Sequence, residues 1–116
     1  MTKDRVKILH QGRVLIQNCW HAKGLWERTI GLMGKKQLKN DEALLINSCK
    51  QVHTHFMRFP IDVVFLNKEN EIIKIQEMKP WKISPLVLQA RKTLELTHGF
   101  CNQHKLTEGV KLEIEQ

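Results

Sequence analysis

Within ten residues the chain places His53, His55, Arg58 and Asp62 among Phe56, Met57, Phe59 and Ile61. An imidazole can donate, accept or ligate a metal, a guanidinium can hold an anion through paired donors, and a carboxylate can orient either. A few polar groups among large apolar ones is the usual make-up of a small-ligand pocket. If residues 53 to 57 are extended, His53, His55 and Met57 share one face, and Thr54, Phe56 and Arg58 share the other. Arg58 and Asp62 flank Pro60 and are placed to pair across the bend into the next strand. Such a pair is costly when partly buried unless both groups are fully hydrogen-bonded. The expected ligand-binding set is therefore His53, His55, Arg58 and Asp62, with Phe56 and Trp81 as walls. The competing assignment gives the same residues to folding, since a Pro-bearing bend into a central strand needs fixed partners.

Other chemistries find less support. His53-x-His55 puts two imidazoles on one strand face, and His98, Cys101 and His104 follow at intervals of three. A zinc site needs three or four such groups converging at ~2.0–2.3 Å, and no spacing brings these segments together. No metal and no cofactor is expected. Cys49 precedes His53 by four residues, without the positioned base and electropositive pocket that an activated thiolate requires. No Gly-x-Ser-x-Gly, phosphate-cradling loop or dinucleotide fingerprint is present. No enzyme class emerges.

The elements that must position these residues are mostly short strands. Val6–Leu9 and Val14–Ile16 surround Gln11-Gly12 and predict a hairpin. Ala22, Leu25, Trp26, Thr29 and Met33 recur at helical spacing, so one amphipathic helix is expected near residues 21–33. Ala43–Ile46 is a short apolar run. Asp62–Leu66 is apolar on both alternating faces, which predicts a strand covered on both sides. The segment from Asn67 to Asn70 is a turn leading back into Glu71–Ile75. Pro80 and Pro85 bracket a connection containing Trp81, with Ser84-Pro85 placed to open a short helical turn. Leu94–Leu96 alternates, and Val110–Glu115 alternates cleanly enough to be a half-exposed final strand. The fold class expected is mainly β, a β-rich α+β chain forming a compact antiparallel barrel or jelly-roll-like sandwich.

Residues 1–116 are expected to form a single domain, because 116 residues leave little room for two cores. A hydrophobic content of 41% with 27% charged residues excludes a disordered or fibrous chain. No apolar run reaches the ~20 residues of a membrane span, and Met1–Arg5 leads into no signal segment, so a cytoplasmic protein is expected. Three cysteines, none in a Cys-x-x-Cys pair, predict free thiols rather than a disulfide frame. Nineteen Lys and Arg against 12 Asp and Glu give a net charge of +7. That basic balance supports an alternative partner, nucleic acid, contacted through Lys35 and Lys36 and through Lys79 and Lys82 on either side of Trp81. Aromatic residues at only 6% and the absence of tyrosine weigh against it.

The segment from Val52 to Leu66 resembles the hallmark of a family known as domain of unknown function 192, an aromatic-Met-Lys/Arg-x-x-Pro-Leu/Ile-Asp-x-x-Phe element. Arg28 to Met33, followed by Leu38, is similar to its Arg-x-x-Gly-Leu-Met motif, and Ala90 through Thr93 to Leu96 with Gly99 is similar to its Ala…Val-Leu-Glu-Leu…Gly element. The resemblance covers about residues 13–115. The chain departs from it at Gly109-Val110, where the family has Gly-Asp, and at Thr97-His98, where it has Pro-Ala. The resemblance implies a small, mainly β barrel or jelly-roll fold and brings no activity with it. The expected function is a non-enzymatic module with a polar site around residues 53–62, its partner an unidentified small molecule or protein.

Overall fold

The computed structural model describes residues 4–23 and 36–116. In chain order the elements are β1 (Arg5–His10), β2 (Arg13–Ala22), β3 (Glu42–Asn47), β4 (Ile61–Leu66), β5 (Ile72–Met78), β6 (Lys92–Thr97), the one-turn helix α1 (Phe100–Gln103) and β7 (Glu113–Glu115). The strands form one sheet in the order β5-β4-β6-β3-β2-β1-β7, curled into a half-barrel. All neighbours are antiparallel except β2 and β3, which run parallel. A parallel pair needs a long crossover, and residues 23–41 supply it. The expected mainly β class holds.

The first hairpin turns on Gln11 and Gly12, both left-handed at φ 52° and 79°. A two-residue turn of that hand matches the natural twist of its strands, and His10 consequently pairs with Arg13. The β4–β5 turn is tied by Asn67, whose Oδ1 accepts from the N–H of Glu69 at 3.0 Å and of Glu71 at 2.9 Å. The helix expected near residues 21–33 lies mostly outside the described residues. Its expected start is strand instead, because His21 and Ala22 pair with Leu45 and Ile46. No helical turn opens at Ser84, whose backbone pairs with Val52.

The sheet has two apolar faces. The inner face collects Val6, Ile8, Ile16, Val64, Leu94 and Leu96, and is closed by Phe100, Leu106 and Leu112. It is the inside of the curl, because the sheet edges meet there. Ile72 N–H donates to Val110 C=O, Gly109 N–H to Ile72 C=O, and Leu112 N–H to Asn70 C=O, all within 2.9 Å. The outer face collects Leu44, Ile46, Ile61, Val63 and Phe65 under Val52, Met57 and Ala90 from the connecting loops. Every residue of β4 is buried, as its two-faced apolar pattern predicted.

Glu95 projects from β6 toward the outer face, between Leu44 and Val63 in register, and is buried. Burial raises its carboxyl from 4.5 to about 8. The folded chain therefore holds a proton that the unfolded chain releases, so stability is full below pH 4.5 and is lost as pH rises to about 8. We expect the thermal midpoint to fall by roughly 15–20 °C across that window, a loss on the order of 5 kcal/mol, and Glu95→Gln to flatten it. A wild-type midpoint independent of pH in that range would show the carboxyl to be ionised and solvated.

Candidate functional site

The loops before β4 and after β5 lie side by side over the outer face and are zipped together by two hydroxyl residues. Thr54 is fully buried. Its hydroxyl donates to Lys79 C=O at 2.6 Å and accepts from Lys82 N–H at 2.9 Å. Its backbone N–H donates to Lys82 C=O, and its C=O accepts from Trp81 N–H and Met57 N–H. Ser84 repeats the pattern, its Oγ accepting from Val52 N–H at 2.9 Å. An isolated bridge between His53 and Ile83 lies between these ties. Neither Thr54 nor Ser84 stands out in the sequence as a site residue, since each is a single small polar side chain in a run of larger ones.

This clamp brings together four of the six expected site residues. Phe56 and Trp81 lie with ring centroids 4.7 Å apart, His55 meets Trp81 edge-on at 5.5 Å, and His53 lies 5.2 Å from His55. The two imidazoles approach Nδ1 to Nδ1 at 3.3 Å. The rings form an exposed ledge, with Phe56 63% and Trp81 57% accessible. Both aromatics have left-handed backbones, at φ 65° and 64°. That conformation is a genuine outlier for a bulky side chain and costs about 1–3 kcal/mol each. The expected extended alternation breaks here, because Phe56 turns outward while Thr54 and Met57 both go inward.

Arg58 and Asp62 do not join the ledge, and no ion pair links them. Arg58 is exposed on the loop. Asp62 is the second residue of β4, so its side chain passes to the inner face while Ile61 takes the outer one. There Oδ2 accepts from Cys101 N–H at 3.0 Å, tying β4 to α1. Burial first, and the nearby Asp62 carboxylate second, push the Cys101 thiol up to about 12. Burial does the same to Cys19, so both are inert as nucleophiles at neutral pH.

Beside the ledge is a cleft of about 380 Å³, lined by Pro60, Met78 and Ile83 and by Gln76, Glu77, Lys79, Lys82 and His98. Two of the four lysines expected to meet nucleic acid, Lys79 and Lys82, share this cleft. Lys36 is exposed and is not among the lining residues, and Lys35 lies outside the described residues. His98, Cys101 and His104 take separate roles, with His104 stacked on Phe100 at 4.1 Å. Among the described residues no three ligating side chains converge as a metal site, and no helix is long and apolar enough to cross a membrane.

The half-barrel recurs in solved structures. A protein of unknown function from Novosphingobium aromaticivorans superposes with a TM-score of 0.81 and 17% identity, covering 94% of this chain and 83% of that one. A Sinorhizobium meliloti protein, proposed to be a transcription regulator, superposes with a TM-score of 0.79 and 22% identity over 95% of this chain and 92% of its own. At such identities the likeness shows the fold alone. The UPF0127 protein PF1050 of Pyrococcus furiosus is 34% identical over 62 residues, about half the length of each chain at 53%. Residues 7–114 match DUF192, described as an uncharacterized ACR. With nearly its whole length matched, and with the barrel-like sheet that the Val52–Leu66 element implied, this chain belongs to the DUF192 family.

Proposed function

We propose that the chain is a non-enzymatic binding module whose recognition surface is the ledge of His53, His55, Phe56 and Trp81. The observation that carries this reading is the pair of exposed, left-handed aromatics. Two large apolar rings are held in water, in a backbone conformation that costs free energy, by a clamp that over-determines their position. Strain maintained in this way is characteristic of ligand clamps. Preorganised aromatic faces at the surface suit a flat, apolar or aromatic group on a small molecule or on another protein. Arg58 stands on the same loop as a donor for an anionic substituent.

A second reading, a nucleic-acid-binding surface, draws on Lys79 and Lys82 on either side of Trp81 and on the proposed role of the Sinorhizobium meliloti relative. Stacking of a base on Trp81 with lysines beside it would serve single strands without sequence preference. Salt separates the two readings, because phosphate contacts weaken steeply as salt rises and stacking of a neutral ring does not.

Backbone-amide NMR on labelled protein, titrated with pooled aromatic metabolites and with a short single-stranded oligonucleotide, tests both. Saturable shifts at His53–Phe56 and Trp81 that survive moderate salt, and weaken roughly tenfold in Trp81→Ala, are the expected result. Shifts confined to Lys79–Lys82 that vanish with salt would transfer the surface to nucleic acid. Silence from every pool at these residues would leave the ledge a folding element and sink the binding reading. The clamp makes its own prediction. Thr54→Val keeps the volume but strips partners from part-buried backbone groups at Lys79 and Lys82. It should cost about 1–3 kcal/mol of stability by denaturant melt, a loss that Trp81→Ala should not share.

A further inference from the structure

Asp62 is 2% exposed, and its Oδ1 is one of two buried side-chain atoms among the described residues with no hydrogen-bond partner. The other carboxylate oxygen is fixed by Cys101 N–H, so the group cannot turn away from its position. His98 Nδ1 lies 3.8 Å from Oδ1, and the His98 side chain is 51% exposed. That side chain lines the cleft that Lys79 and Lys82 also line. An unmet buried carboxylate oxygen is more costly than an unmet neutral acceptor, and a sub-ångström shift of the ring would meet it.

We propose that Asp62 positions His98, and that His98, Lys79 and Lys82 together bind the oxyanion of a small molecule in this cleft, a phosphate or a carboxylate. A cleft of about 380 Å³ falls in the usual range for small ligands. With Nδ1–H given to Asp62, Nε2 is the nitrogen left for the ligand. Both nitrogens donate only in the imidazolium, so the anion binds together with a proton and its affinity rises as pH falls. The titratable groups around the ring and the cleft are Asp62 from β4, Glu77 from β5, Lys79 and Lys82 from the loop after it, and Cys101 from α1. Glu77 opposes an anion, and the three cationic groups outnumber it. Asp62 is a positioning residue, since Oδ1 faces the ring rather than the cleft lining.

The cleft adjoins the ledge, but its anion-binding groups, His98, Lys79 and Lys82, are none of the four rings, so His98→Gln tests the cleft without touching the ledge. The test is an NMR titration of the full chain with sodium sulfate, whose charge is constant over the range used, and separately with sodium acetate. The His98 ring and the amides of Lys79–Ile83 are followed. We expect saturable shifts at millimolar affinity that tighten several-fold between pH ~8 and pH ~5.5. His98→Gln, a change at a half-exposed position, should weaken binding roughly tenfold. Asp62→Asn, which can still accept from Cys101 N–H, should weaken binding less and move the ring ¹⁵N shifts away from the Nδ1–H tautomer. A response to sulfate alone assigns a phosphate-type ligand, and a response to acetate alone assigns a carboxylate. Absence of both responses, or binding that His98→Gln leaves unchanged, overturns the proposal.

Discussion

A strand with no solvent side sets the terms for this protein. Ile61–Leu66 is buried from end to end, so both faces of the sheet need a cover. Inside the curl the cover is the opposite wall of the half-barrel together with Phe100, Leu106 and Leu112. On the outer face it is the pair of loops carrying Val52, Met57, Val87 and Ala90. Apolar burial at about 25 cal/mol per Å² drives both, and only the second leaves loop residues free to be displayed.

The outer cover shows how a loop can be made rigid enough to display side chains. Loops running over a protein surface usually satisfy their backbone groups with water. Here the hydroxyls of Thr54 and Ser84 sit between the two loops and satisfy backbone groups that the packing has buried. Those bonds hold Trp81 N–H and Met57 N–H on the one Thr54 carbonyl, with Phe56 and Trp81 left-handed beside it. The strain at the aromatics and the satisfaction at the hydroxyls are two sides of one arrangement.

The inner cover works through charge. Asp62 is the one acidic residue of β4, and its alternation in the strand sends it away from the loop it follows in sequence. It ties the strand to a one-turn helix through a single charge-assisted hydrogen bond to Cys101 N–H. Its other oxygen lies toward the half-exposed His98. Glu95, three residues upstream of His98 and on the opposite face, has burial alone acting on its carboxyl and holds its proton to about pH 8. The two buried carboxyls therefore differ in kind, one anchored by a donor and the other left among apolar side chains.

Apolar patterning and turn residues determined the mainly β class, the first hairpin, the Asn67–Asn70 turn and the double-sided burial of Asp62–Leu66, because each depends only on neighbours in sequence. The ordered motifs at Arg28–Met33, Val52–Leu66 and Ala90–Gly99 likewise determined the family. The site was legible only in part. His53, His55, Phe56 and Trp81 do gather, but spacing suggested an Arg58–Asp62 pair that the pleat forbids, since one residue of shift moves a side chain to the other face. Thr54 and Ser84 could not be singled out, and His98 drew notice only as a possible metal ligand, because a lone hydroxyl or imidazole gains meaning from what lies across from it. The tertiary structure decided those partners, together with the parallel β2–β3 pairing and the cleft beside His98. Each depends on contacts between segments tens of residues apart, which the curl of the sheet creates and local sequence does not encode.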